Sequence, residues 1–280
     1  MMNLSMQTSF NKPLICICGN RKGDHFIKDG YELTKCSQCN LVRTSYVYAD
    51  ANKFFEEVPA LDSLEYWGFP EYFERHKNVF DYYFEERFNR IKNSIKLAEN
   101  DLWMDIGSGY GFWQKFLNVK KIKNYGIEID PKAYAYSKKQ GIEIDLLSIE
   151  NFESHPKKFK VITMCDVLEH VEDPLIVLRK CHNLLTDDGV MYIQIPDVLG
   201  MKIPFGHSLG LPHHLWQFNH SAMKEVFLKT DFKILHHWTG VQGVIKFYES
   251  GGPSFLRKFY WQLAATTKRG NRLQYLVKKS

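Results

Sequence analysis

Nowhere in these 280 residues do apolar side chains run for the eighteen or so positions that a helical membrane span requires. The stretch from Met1 to Pro13 has no basic segment followed by an apolar one, so no secretory leader is expected there. Charge of one sign is in short supply too. Lys and Arg total 37 against 32 Asp and Glu, a formal +5, which does not by itself argue for a nucleic-acid partner. Cysteine is sparse at six residues, well short of a disulfide-built scaffold. A cytoplasmic protein is therefore expected, where close cysteines bind metal more often than they oxidise. What the chain does have is core-forming material. Hydrophobic residues make up 44% and aromatics 15%, enough for one large domain and a small appendage.

Four of the six cysteines come in two short knuckles, Cys16 with Cys18 and Cys36 with Cys39, with seventeen residues between them. Four thiolates on two tight turns can make a closed tetrahedral zinc site. The first knuckle is C-x-C, one residue tighter than the usual C-x-x-C; buried or redox-active thiols are the other reading. Between the knuckles, Phe26-Ile27 and Tyr31 to Thr34 alternate like a hairpin around Asp29-Gly30. Residues 1–48 are thus read as a zinc-ribbon-like module holding structural zinc. A site closed by four thiolates has no open coordination position, so no catalysis is expected there. Cys165 and Cys181 stand apart in apolar surroundings and read as small hydrophobes.

Residues 49–100 are rich in aromatics and charge, and from Glu71 to Ala98 there is neither Gly nor Pro. Apolar residues recur there at helical spacing. One or two helices are expected, as a linker or lid. Tyr66 to Pro70 can form a flap or simply glue the two modules together.

From Leu102 the chain alternates strand and helix, the mark of an α/β fold with a parallel sheet. Strands are expected near 102–106, 125–129, 142–144, 161–164, 190–195 and 232–238, with a further one near 242–248. Helices are expected near 112–119, 131–140, 174–185 and 220–230. Pro131 and Pro174 suit helix starts, where a missing N–H is harmless, and Asn219 suits an N-cap. The organising stretch is Leu102 to Gly111, with the pattern Asp105-x-Gly107-x-Gly109-x-Gly111. Glycines there allow positive φ and close approach of a ligand, and the helix that follows offers free amides. A dinucleotide fingerprint would need Gly at 112, where Phe112 stands. Glu128 follows about twenty residues on, where a carboxylate can accept both hydroxyls of a ribose.

On these residues, the blocks Val161 to Pro174 and Leu184 to Pro196, and their order, the chain resembles the class I S-adenosylmethionine (SAM)-dependent methyltransferases over roughly 80–240. The ribbon resembles one that precedes some bacterial sugar and natural-product methyltransferases. The resemblance implies a Rossmann-like seven-stranded sheet with helices on both faces and one reversed edge strand, spanning 101–250. It implies SAM as cofactor, with Gly107, Ser108 and Gly109 along its amino-acid end and ribose. Asp105 would order the turn or meet the ammonium, Glu128 would hold the ribose diol, and Ile129 would cover the adenine. Leu147, Ser148 and Ile149 would flank the adenine, and Asp166 would meet cofactor or substrate.

Gly200 to Asn219 is irregular and follows a strand, so it should hang over the carboxyl edge of the sheet as a substrate lid. If the acceptor is a hydroxyl, a base is needed, and histidine titrates in the right range. His214 and His213 are the first candidates and His170 the next; bracing of the loop is the other reading of each. No carboxylate at helical spacing marks a metal site at these histidines. Residues 251–280 read as a basic amphipathic tail, either docked on the domain or in peripheral contact with an anionic membrane. The expected acceptor is a small molecule or glycan, such as a sugar hydroxyl of a polysaccharide precursor. RNA or protein methylation and a non-catalytic SAM-binding scaffold are the competing readings. Nucleic acid is disfavoured because the ribbon has little basic excess and the chain lacks the Asn/Asp-Pro-Pro-Tyr/Phe motif.

Overall fold

A computed structural model describes residues 10–48, 69–197, 210–240 and 270–280, together with Phe259, Leu263, Thr266 and Thr267. At the N-terminus, β1 (Phe10–Pro13) pairs with β5 (Tyr46–Tyr48), and between them lie β2 (Gly23–Lys28), β3 (Tyr31–Cys36) and β4 (Val42–Thr44). The β2–β3 hairpin turns at Asp29-Gly30, both with positive φ (53° and 84°), the pair of angles that a two-residue hairpin turn requires. The expected ribbon hairpin is therefore present.

Two helices follow, α1 (Pro70–Arg75) and α2 (Lys77–Lys92), broken at His76. The expected flap at 66–70 falls mostly outside the described residues. Phe73 of α1 stacks on Phe112 at 3.8 Å, and Phe69 meets Tyr110 at 5.5 Å. Aromatic faces thus fasten this segment onto the glycine turn.

The main sheet has seven strands: β6 (Leu102–Ile106), β7 (Lys123–Glu128), β8 (Ile144–Leu146), β9 (Phe159–Cys165), β10 (Leu185–Pro196), β12 (Phe232–Gly240) and β13 (Arg272–Lys279). Its order is β12-β13-β10-β9-β6-β7-β8. Helices α3 (Phe112–Val119), α4 (Pro131–Lys139), α5 (Pro174–Leu184) and α6 (His220–Lys229) connect or flank these strands. Asp130, Asp173 and Asn219 cap the last three of these, each accepting from backbone amides of the first turn. Side chains alternate across the sheet, as strand geometry demands. Trp103, Val161, Tyr192 and Leu276 pack under α2 and α3, while Met104, Ile162, Ile193 and Tyr275 pack under α5 and α6.

Two expectations need correction. The reversed strand, β13, is antiparallel to both neighbours and lies one place in from the edge, which β12 occupies. And β13 comes from the segment read as a basic tail. Leu273, Tyr275, Leu276 and Val277 are at most 1% exposed; burial of one such side chain contributes about 1.5–3 kcal/mol, which places this stretch in the core. The strand expected near 242–248 and most of the amphipathic stretch before 270 lie outside the described residues. Among those described, no helix is long and apolar enough to cross a membrane.

The ribbon is not a separate bead. Leu14, Cys16, Ile17, Cys36 and Leu41 belong to the same buried cluster as the face of the sheet beneath α5 and α6. Residues 200–209 of the expected lid lie outside the described residues; from its remainder a short strand, β11 (Trp216–Gln217), joins the ribbon, giving a four-stranded sheet in the order β11-β4-β3-β2.

Candidate active site

The glycine turn sits between β6 and α3, at the carboxyl end of the sheet. Gly107, Gly109 and Gly111 all have positive φ (71°, 53° and 72°), a region that favours glycine. Two of them are also sterically pinned. A Cβ on Gly107 would fall 2.3 Å from Val167 Cγ2, and one on Gly111 2.4 Å from Ile142 Cδ1. Gly109 differs: nothing lies within 4 Å of its missing Cβ. Open space over a side-chain-free bend is what a ligand running across the turn needs.

Glu128 ends β7 beside this bend. Its Oε2 accepts from Gly109 N at 2.6 Å, and its Oε1 accepts from Ile129 N at 2.7 Å and Asp130 N at 2.9 Å. Burial raises its pKa, and the three amides oppose that rise. A carboxylate offers about four acceptor positions, so two ribose hydroxyls can be held only if one amide yields its place. Ser108 is buried; its Oγ donates to Asp105 O at 2.9 Å, which fixes the turn. The Asp105 carboxylate points into the sheet, where Thr163 Oγ1 donates to it at 2.5 Å. Burial lifts its pKa to about 6, with Thr163 and Arg87 pulling the other way. The carboxylate is thus held by Thr163 of β9.

Ile129 and Leu146 stand 57% and 46% exposed beside Glu128, an unfilled apolar ledge suited to an adenine face. Ser148 opens the next turn, its Oγ accepting from Asn151 N at 3.3 Å, and Leu147 is half-buried. Ile149 is a correction: at 3% exposed it is packed in the core cluster, unable to flank a ligand.

The carboxyl end of β9 forms the opposite wall. Asp166 follows that strand with φ +54°, an uncommon conformation for a non-glycine residue that arises where the surroundings enforce it. Asp166 N donates to Gln194 O at 2.8 Å, Gln194 Nε2 donates to its Oδ2 at 3.1 Å, and Arg272 Nε lies 3.0 Å from its Oδ1. Next comes Glu169, 1% exposed, with neither carboxylate oxygen hydrogen-bonded among the described residues. Burial, with the charge of Asp166 adding to it, raises its pKa well above the ordinary value. His170 Nε2 and His214 Nε2 each stand 4.0 Å from Glu169 Oε1, and the two rings meet edge to face at 4.7 Å.

The three expected histidines thus divide. His170 and His214 converge on Glu169. His213 joins through its carbonyl, to which His170 Nδ1 lies at 3.1 Å. A carbonyl only accepts, so His170 Nδ1 carries the proton and neutral His170 turns an unprotonated Nε2 toward Glu169. Desolvation lowers the His170 pKa to about 4, so it is neutral near pH 7. The carboxylate that helical spacing did not show comes from the residue next to His170 in the chain.

Arg87, on α2, was not singled out in the sequence. It is buried, with its guanidinium 4.8 Å from the Trp113 ring centroid and 5.6 Å from that of Tyr192. Burial acts to lower its pKa, but Cys165, Tyr192, Asp105 and Asp166 hold it above the ordinary value. A buried cation behind the site floor was hidden in sequence among the exposed charges of a helix. At the knuckles, Cys16 and Cys39 sulfurs are 3.4 Å apart, Cys18 and Cys36 3.5 Å, and one sulfur from each of the four lies within 4.8 Å of the others. A tetrahedron with metal–sulfur bonds of about 2.3 Å has edges of about 3.8 Å, so the donor set fits. The contact between them lowers the Cys39 pKa and raises that of Cys16.

Residues 75–237 match a family model described as a methyltransferase domain. Ubiquinone biosynthesis O-methyltransferase of Haemophilus ducreyi is 27% identical over 118 residues, 38% of this chain and 50% of that protein. The protein of the same name from Pseudomonas aeruginosa (strain LESB58) is 29% identical over 114 residues, 38% of this chain and 49% of that one. The chain spans about half the length of the curated relatives it matches. Among solved structures, the plantazolicin methyltransferase BpumL, in complex with a monoazolic desmethylPZN analog and SAH, has a TM-score of 0.57 at 17% identity, covering 82% of this chain and 93% of that one. A putative sarcosine dimethylglycine methyltransferase from Galdieria sulphuraria has a TM-score of 0.53 at 15% identity, covering 74% and 88%. Both likenesses are of fold.

Proposed function

The chain belongs to the methyltransferase-domain family, and on that premise we propose that it transfers a methyl group from SAM to a hydroxyl of a small or glycan-linked acceptor, such as a sugar in a polysaccharide precursor. The observation that carries the reading is the bond between Glu128 Oε2 and Gly109 N, made under open space. It joins the ribose-holding acid to the bend that a nucleoside must cross.

When bound, SAM supplies a methyl group already activated on a sulfonium, so the protein's task is alignment, exclusion of water and removal of a proton. Glu128 holds the ribose hydroxyls, Ile129 and Leu146 cover the adenine, and Gly107 to Gly109 let the chain of the donor pass. Arg87, buried behind the floor, adds positive charge beneath the site. On the other wall, Asp166 orients the acceptor and His214 takes the hydroxyl proton, with His170 as second imidazole and buried Glu169 beside both. The histidine bases thus stand at the end of the strand adjoining β6, across the turn from Glu128. The four cysteines hold a structural zinc away from this chemistry.

The relatives named as ubiquinone biosynthesis O-methyltransferases support an oxygen as the acceptor atom, which the same residues serve. Turnover of SAM should be screened against sugar nucleotides, lipid-linked glycans and substituted phenols, with RNA as a control. Turnover with a hydroxyl acceptor is expected; methylation of RNA alone would overturn the reading.

A further inference from the structure

The histidine segment is held from both sides along its backbone. On one side, Leu215 N and Trp216 N both donate to Glu169 O, at 2.8 and 3.2 Å, and Trp216 Nε1 donates to Val171 O at 2.9 Å. On the other, Leu215 O accepts from Thr44 N of β4 at 2.9 Å, and Trp216 and Gln217 pair antiparallel with Arg43 and Val42. Strand β4 is therefore the template on which β11 is laid, and β11 fixes where His213 and His214 stand. Gln217 Nε2 ties back to His214 O at 3.0 Å, and a Cβ on Gly210 would strike the His214 ring at 2.4 Å. The ring sits on a floor of backbone.

The template is itself tied to the cysteine knuckle. Asn40 N donates to Cys36 O, and Cys36 N donates to Leu41 O at 2.9 Å; Val42 is the next residue. Leu41 is 1% exposed and shares one core cluster with Cys36, Leu215 and Trp216. Arg43, buried, donates from Nε to Leu14 O at 2.7 Å, two residues before Cys16. Both knuckles are thus within three residues of contacts that hold β4.

We propose that the cysteine module is a positioning element of the acceptor site: a soft divalent cation held by Cys16, Cys18, Cys36 and Cys39 fixes β4, and β4 registers the His213–Gln217 segment against Glu169. The inference rests on the methyltransferase reading of that site and extends it. Strands β6, β7 and β8, which carry the glycine turn and Glu128, make no pairing with β4 or β11. Loss of the cation therefore loosens the acceptor wall and leaves the cofactor wall in place.

Amide hydrogen exchange of the full chain tests this, comparing zinc-loaded with chelator-stripped protein. Binding of the demethylated cofactor product, SAH, is measured on the same samples. Exchange across residues 210–219 should rise at least about tenfold on stripping, as local opening becomes easier, while SAH affinity changes less than about twofold. Thr44→Pro removes the N–H that donates to Leu215 O, and in zinc-loaded protein it should loosen the same segment with zinc retained. Unchanged exchange at 210–219 in both samples would overturn the inference. So would an SAH affinity that collapses in step, since the module would then support the whole fold. Full-length protein that binds no zinc would overturn it as well. Absence of SAH binding in all samples would instead strike the methyltransferase reading.

Discussion

The two walls of the site are built differently. On the cofactor side, both carboxylate oxygens of Glu128 are engaged by backbone amides, and Gly107 and Gly111 are fixed by φ and by close neighbours. On the acceptor side, Glu169 is buried with both oxygens lacking hydrogen bonds among the described residues, two imidazoles stop 4.0 Å short of it, and Asp166 holds a positive φ. One wall is settled by its own backbone, with one amide contact to yield when a ribose is held. The other stores unsatisfied polarity, the usual condition of groups that must handle a proton.

Breaking the settled wall should have the largest effect. Gly107→Val puts a branched side chain at φ +71° and against Val167, which should destabilise the fold by about 3 kcal/mol or more. Thermal unfolding should show this, with SAH binding lost. On the other wall, His214→Ala should reduce kcat by about a hundredfold, within the span of general-base effects, and leave SAH affinity alone. Calorimetry beside steady-state kinetics checks it; lost SAH affinity with kcat intact would move His214 to the cofactor side.

The smallest effect sharpens the comparison through pH. Asp105 lies between the walls, with its pKa raised from 3.8 to about 6 by burial. The folded state then binds this proton more tightly than the unfolded chain. Its contribution to stability is full below 3.8 and is lost as pH rises through about 6. Asp105→Asn should therefore flatten the dependence of Tm on pH across about pH 4–7, and an unchanged slope would assign that dependence to another group.

The same division decides what could be read without coordinates. The β6 strand, its glycine turn, α3 and Glu128 lie within a span of 27 residues, and local spacing shows them. The ribbon hairpin was legible for the same reason, through Asp29-Gly30. The acceptor wall joins Glu169 and His170 to His214, some forty residues on, and Arg272 to Asp166 across more than a hundred. No periodicity carries such pairings. Strand β13 was hidden because a strand buried on both faces loses its alternation; Leu273 to Val277 reads equally as the face of a helix between basic ends. Strand β11 is only two residues long, too short for any pattern, yet it links the ribbon to the histidines. Arg87 looked like an exposed helical charge because burial is a property of the packed helices.

The central claim is that the bend at Gly107 to Gly111 and the carboxylate of Glu128 form one cofactor-binding wall. It is tested most directly by titrating SAH into the wild-type chain and into Glu128→Ala under calorimetry. The account predicts a single saturable site that weakens at least about tenfold, or about 1.4 kcal/mol, when the carboxylate is removed. Equal affinity in the two proteins, or no binding to the wild type, would contradict it.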